Sequence, residues 1–494
     1  MTRSILLILL TLVLAITCCQ QKKQNTTDPV ALSEEYQSWE TTEQPVGSAA
    51  YLGLGSYAKC LCTAVFESNR KPEEFVASNN GLTIEADYDP HVKYEIDLDS
   101  KKAIVSLGDS IQRIATFVGD QGCILDVEKG LHFEPVKVIS KLPPSEAMDW
   151  PMGDKTQPAA STYSKELLMK AADSAFDSRA LTAAFLVIHK GNIIIERYRE
   201  GTTRDTQLES WSMGKSLTAT LIGRLIQEGK LSIDQKAPVK EWQREGDPRG
   251  EITIKNLLQM SSGLRFPSYG RTRLSGGVAT SGSYDAGTPM SQLIHIYPYT
   301  GSTNVFDFSV NRPLEFVPGS KGSGQYRNCD PLTLGYIFRN IVEKEGRNYW
   351  TWPQEELFDK IGIRRQLLET DRYGNFIMSG YDYGTARNWG RLGLLYLQDG
   401  VWQGERLLPE GFSKFVSSQA ESWEDPIYGG LFWLNRYEIL QETYSMNGAG
   451  GQNVIIIPSL DVVVVRMGHN RGAHYANASL NHALKIVVQA VSEE

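Results

Sequence analysis

Two pairs of apolar, strand-like runs stand far apart in this chain, and together they limit what it can fold into. The first pair is Ala183-Ala-Phe-Leu-Val-Ile-His189 and Ile193-Ile-Ile-Glu-Arg-Tyr-Arg199, joined by a turn at Lys190-Gly-Asn192. The second is Val454-Ile-Ile-Ile-Pro458 and Val462-Val-Val-Val-Arg466, joined at Ser459-Leu-Asp461 and preceded by Tyr428-Gly-Gly-Leu-Phe-Trp-Leu434. Short runs of β-branched residues bounded by turn residues read as hairpins. Between them the sequence is loop-rich and mainly helical in spacing, with helices expected at 164–176, 216–227 and 332–342, and another at 478–491. The pattern predicts an α+β chain: strands from both ends form one antiparallel sheet flanked by helices, with a mainly helical region inserted.

At 494 residues the chain is long enough for more than one domain. Met1-Thr-Arg-Ser4 and the apolar run Ile5–Ile16 have the form of a secretory signal, too short to span a bilayer comfortably. Ala15-Ile-Thr-Cys18 resembles a bacterial lipobox, with Cys18 or Cys19 as the lipid-bearing residue. The expected layout is a signal at 1–19, a polar tether at 20–49, a small β-rich domain at 50–140, a linker at 141–164 and the main body at 165–494. Strand-like runs at 82–86, 93–97 and 103–107 support the second folded unit.

An exported chain keeps disulfides, so one pair is expected among Cys60, Cys62 and Cys123, with Cys62–Cys123 favoured and Cys329 a buried free thiol. Cys60-Leu-Cys62 is poor zinc spacing, and neither a metal nor another cofactor is expected. The net charge of −8 argues against a nucleic-acid partner.

Ser-x-x-Lys occurs at Ser68–Lys71 and Ser212–Lys215, and about one or two such matches arise by chance in a chain of average composition. Context separates them. Ser68-Asn-Arg-Lys71 runs into Pro72-Glu-Glu, whereas Ser212-Met-Gly-Lys215 opens an apolar helix. Residues i and i+3 share a helix face, so Lys215 is in reach of the Ser212 hydroxyl. A helix N-terminus also presents N–H groups and a positive field to an anionic intermediate. Serine needs a base to become nucleophilic, and lysine serves only if its surroundings lower its pKa.

Order along the chain adds weight. Tyr326-Arg-Asn328 follows the Gly/Ser loop 318–324, and Asn447-Gly-Ala-Gly-Gly-Gln452 precedes a strong strand. Tyr-x-Asn recurs at Tyr373–Asn375 and Tyr475–Asn477, in a polar turn and beyond the last strand. Glycines let a strand lie close to a bound substrate.

From about 165 to 494 the chain resembles the serine β-lactamase and penicillin-binding superfamily, in particular its class C-like esterases and aminohexanoate-oligomer hydrolases. Ser212-Met-Gly-Lys215, Tyr326-Arg-Asn328 and Met446-Asn-Gly-Ala-Gly-Gly-Gln452 match its three motifs, and Lys255–Leu264, Thr385–Leu394 and Gly400-Val-Trp402 also look familial. The resemblance implies a β-lactamase/transpeptidase-like fold and an acyl-enzyme on Ser212, with Lys215 as base and Tyr326 as proton relay. It implies that Asn328 contacts substrate, and that the Ala449 N–H, beside Gly448, joins that of Ser212 in an oxyanion hole. Met446 departs from the Lys-Thr-Gly or His-x-Gly of lactamases and peptidases, which removes a cation for a substrate carboxylate. Ester or amide hydrolysis of a small or peptide-like substrate is therefore expected ahead of β-lactam or D-Ala-D-Ala chemistry, or of binding without efficient turnover. His189–Gly191 lies in a hairpin turn, and His469 reads as structural.

Overall fold

The computed structural model describes residues 45–79, 91–157, 162–266 and 296–493; Cys18, Cys19 and the run at 82–86 lie outside them. The N-terminal unit begins with α1 (Ala49–Phe66), capped by Ser48, whose hydroxyl accepts from the Tyr51 N–H. After α2 (Pro72–Asn79) comes an antiparallel meander of β1 (Val92–Asp97), β2 (Lys102–Leu107), β3 (Ile111–Phe117) and β4 (Cys123–Leu125). The unit is β-rich over 92–125, but its first third is helix, unlike the strand-like pattern expected from residue 50 onward. Leu52, Leu54, Tyr57, Ala58, Leu61, Cys62 and Ala64 are all buried, so α1 is covered around its circumference and no polar stripe marks a helical period. It is long and apolar enough to cross a membrane, yet 78% of it is buried within the protein.

Cys62 on α1 is joined to Cys123 on β4, while Cys60 and Cys329 are buried free thiols. Residues 141–157, expected as a linker, lie docked on the body. Arg391 donates to the carbonyls of Pro151 and Gly153 at 2.7 Å and pairs with Asp154 at 2.8 Å, and Arg364 donates to Pro143 at 2.7 Å.

The body starts with α3 (Lys165–Ala175), capped by Ser164, and the hairpin β5 (Thr182–His189) and β6 (Asn192–Tyr198). Short β7 (Leu208–Glu209) leads into α4 (Met213–Gln227). Later come α5 (Cys329–Lys344), β8 (Leu367–Leu368), β9 (Asp382–Gly384) and α6 (Ala386–Leu397). The chain closes with β10 (Trp433–Leu434), β11 (Tyr444–Gly448), β12 (Gln452–Ile457), β13 (Val462–Gly468) and α7 (Ala473–Ser492).

The main sheet runs β10-β11-β12-β13-β5-β6, every pairing antiparallel. The two ends of the body meet where Val464 of β13 faces Val187 of β5. Successive side chains alternate between faces. Phe185, Val187, Ile455 and Val464 pack with Leu168 of α3 and Leu484 of α7. Leu186, Ile188, Val454 and Val463 face the opposite layer, with Leu217 of α4 and Leu392 of α6. Covering both faces explains why these strands read as unbroken apolar runs. Full burial of one such side chain stabilises by roughly 1.5–3 kcal/mol. A second small sheet, β7-β9-β8, lies beside the start of α4.

Candidate active site

Pairing of Glu209 with Tyr383 ties the segment before α4 to β9. Trp211 follows with φ of +49°, left-handed backbone that a bulky residue adopts only under restraint. Its ring is 7% exposed and lies 5.4 Å from that of Tyr381. The turn throws Ser212 to the N-cap position of α4, where its side chain caps nothing. A serine there normally accepts from the helix N–H groups; here the hydroxyl is left for other partners.

Lys215 supplies one: its Nζ lies 3.0 Å from Ser212 Oγ. The lysine is 1% exposed and donates to the Ser379 carbonyl at 2.7 Å. Burial holds its amine well below the usual lysine range, with the carboxyl of Asp382 pulling the other way. Neutral lysine has two N–H groups and a lone pair; with Ser379 taking one N–H, the lone pair is available to Ser212.

Tyr326 is the third member of the group. Burial pushes its phenol up, and a hydrogen bond with Ser212 opposes the shift. Lys215 Nζ lies 4.9 Å from the ring centroid. Trp433 stacks on the ring at 5.2 Å and Tyr428 meets it edge-on at 6.0 Å. Arg327 next to it donates to the carbonyls of Ser323 at 2.6 Å and Leu264 at 3.1 Å, which fixes the loop leading into α5.

Asn328 is 1% exposed, and its Oδ1 lies 3.1 Å from the Tyr299 hydroxyl. That hydroxyl is also 2.9 Å from the Ser379 carbonyl, the one that receives Lys215. Gly448 ends β11 against the segment that leads into Ser212: a Cβ there would stand 2.0 Å from the Ser210 carbonyl. The hairpin turn that starts at Ala449 therefore leaves β11 from a point packed against Ser210, two residues before Ser212. Met446 is fully buried on the helix-facing side of β11, opposite Val454.

Other motif matches fall elsewhere. Ser68 donates to the Gln207 carbonyl at 2.5 Å, with Lys71 exposed. Tyr373 stacks on His132 at 4.4 Å, and Tyr475 is exposed on α7. His189 Nδ1 meets the Tyr163 hydroxyl at 2.8 Å, and His469 is buried between Glu74 and Glu209. Among the described residues no cluster of three or more His, Cys, Asp or Glu side chains suits a metal. Three site residues carried no motif: Tyr299, Ser379 and Asp382. The last stands three residues before the familial stretch that starts at Thr385, and nothing in the sequence singles it out.

Residues 166–488 match the model of the beta-lactamase family. The chain is 26% identical over 303 residues to the 6-aminohexanoate-dimer hydrolase of Paenarthrobacter ureafaciens, covering 58% of this chain and 72% of that one. A Bacillus anthracis structure assigned as a 6-aminohexanoate-dimer hydrolase superposes with a TM-score of 0.50 at 20% identity, over 72% of this chain and 87% of the other. A Bacteroides dorei structure assigned as a beta-lactamase gives 0.50 at 18% identity, over 67% and 99%. Sheet, helix layers and family match agree: the chain belongs to the beta-lactamase family and has the fold of its serine hydrolases.

Proposed function

We propose that this protein is an exported serine hydrolase that cleaves ester or amide bonds through an acyl-enzyme on Ser212. The observation that carries the reading is the buried Lys215 amine 3.0 Å from Ser212 Oγ, with Tyr326 on the same hydroxyl. In the first step Lys215 takes the Ser212 proton as Oγ bonds to the substrate carbonyl carbon. The N–H groups of Ser212 and Ala449, beside Gly448, receive the oxyanion. Tyr326 passes a proton to the leaving group, and water then releases the acyl chain by the reverse sequence. Asn328 contacts the substrate, its Oδ1 lying beside the Tyr299 hydroxyl.

Met446 favours esters and amides over β-lactams or D-Ala-D-Ala peptides, since it offers no charge to a substrate carboxylate. The Paenarthrobacter relative, named for an amide-linked dimer, supports the same choice. The signal-like first residues with Cys18 or Cys19 support export with a lipid anchor.

A pre-steady-state trace with a chromogenic short-chain ester, on wild type and Ser212→Ala, tests the chemistry. The expected result is a burst followed by turnover, lost in the variant, with a chromogenic cephalosporin turned over far more slowly. Equal traces from the two proteins would remove Ser212 from the reaction. Cephalosporin turnover faster than ester turnover would restore the lactamase reading.

A further inference from the structure

One buried carboxyl outside the Ser212, Lys215 and Tyr326 group is built into the surroundings of the base. Asp382 opens β9 and is 3% exposed. Ser210 grips it twice: its N–H donates to the Asp382 carbonyl at 3.0 Å, and its hydroxyl donates to Oδ1. Gly214, in the first turn of α4, meets the same oxygen, and a Cβ there would stand 2.4 Å from it. Only glycine leaves the carboxyl room beside the helix turn that ends in Lys215.

We propose that Asp382 is a positioning residue, the counter-charge that sets how tightly Lys215 holds a proton and hence the pH at which Ser212 becomes a nucleophile. This rests on Lys215 being the base.

The groups that face Asp382 are few and chemically distinct. α4 brings Lys215, whose charge acts on the carboxyl. The helical turn at 296–300 brings Tyr299, whose phenol burial holds neutral. Gln366, ahead of β8, contributes an uncharged amide. Glu369 lines the same small cavity but is paired with Lys59 at 2.9 Å. Among the described residues, Lys215 is thus the cation left to answer the carboxyl.

Asp382 and Lys215 together hold one proton, as carboxylate with ammonium or as carboxylic acid with amine. Only the second form presents a lone pair to Ser212. When Nζ takes the proton from Oγ, the pair becomes carboxylic acid with ammonium while the Oγ–carbon bond forms. Burial pushes Asp382 up to about 7, against the hydrogen bond from Ser210 and the charge of Lys215. Burial also drives Lys215 down. Where Asp382 is ionised its charge favours the ammonium form, so Lys215 frees its lone pair only as the pH rises.

The test is kcat/KM for p-nitrophenyl butyrate from about pH 4.5 to 9 on the full chain and on Asp382→Asn and Ser210→Ala. Asparagine removes the anion that helps Lys215 keep its proton, so the acidic limb moves to lower pH, by about one unit or more. Ser210→Ala leaves the carboxyl without its hydroxyl donor, so it stays protonated longer and the limb moves the same way by less. A limb that stays in place in both variants overturns the proposal, however far the plateau falls. If Asp382→Asn does not fold, the limb of Ser210→Ala decides. Hydrolysis that survives Ser212→Ala would instead defeat the underlying hydrolase reading.

Discussion

Removing one member of the Lys59–Glu369 pair should cost far more than removing both. Lys59 on α1 and Glu369 just past β8 meet at 2.9 Å with side-chain exposures of 2% and 0%. Glu369 also accepts from the Cys123 N–H at 2.9 Å and from the Thr63 hydroxyl. Its carboxyl is pushed up, because burial outweighs the pull of Lys59 and these donors. Taking both charges out of water offsets most of what they gain from each other, so the main effect of the pairing is to avoid a lone buried charge. Breaking such a pair from one side costs about 3–5 kcal/mol, whereas an apolar replacement of both partners is near neutral. With an unfolding entropy of about 2.1 cal/mol/K per residue, 1 kcal/mol corresponds to roughly 1 °C in a cooperative unit of this size. Lys59→Met and Glu369→Leu should each lower Tm by about 3–5 °C, and the double variant should return to within about 1–2 °C of wild type. Differential scanning fluorimetry at one scan rate reads all four proteins. If the two losses simply add, the charges are not coupled and the account of this interface is wrong.

Two further outcomes follow from the docked strap and the hairpin turn. Asp154 is pushed up by burial, but the hydrogen bond and charge of Arg391 outweigh this and hold it at about 2. Its folded value lies below its unfolded one, so its contribution of about 2 kcal/mol is present above pH 4 and lost as pH falls toward 2. Pepsin cleavage within 141–157 should rise over that window and rise already at higher pH in Arg391→Ala; cleavage indifferent to both would mean the strap is held by something else. Gly448→Ala forces a methyl against the Ser210 carbonyl and parts the turn at Ala449 from Ser212. Burst kinetics should show acylation slowed by about 10²–10³-fold, the range for losing one oxyanion donor, together with a lower Tm because a backbone carbonyl has to give way. An unchanged acylation rate would place the oxyanion elsewhere.

The body was legible where one physical signal dominated. Apolar runs of β-branched residues gave away β5, β6, β12 and β13 because each strand is buried on both faces, and Ser212–Lys215 was visible because three residues make a shared helix face. α1 was hidden for the opposite reason: wrapped on every side, its sequence has no polar stripe to count. Asp382, Ser379 and Tyr299 were out of reach because no spacing rule links them to α4. They arrive from segments more than seventy residues beyond its end and act through a backbone carbonyl, a methyl-free helix turn and one buried carboxyl. The left-handed Trp211 was equally silent, since nothing in an indole announces a positive φ.

The placement of α1 also dictates an order of events during synthesis. Ser56 reaches Tyr381 and Lys59 reaches Glu369, contacts that span 325 and about 310 residues of chain. At about 5–20 residues per second, α1 waits roughly a quarter of a minute to a minute for the partners that will cover it. Throughout that interval the nascent chain displays an apolar helix of membrane-spanning length. Its safe passage depends on β2 and β3, made within the next fifty residues, sheltering one side first. The other side stays uncovered until the far wall of its pocket has been made.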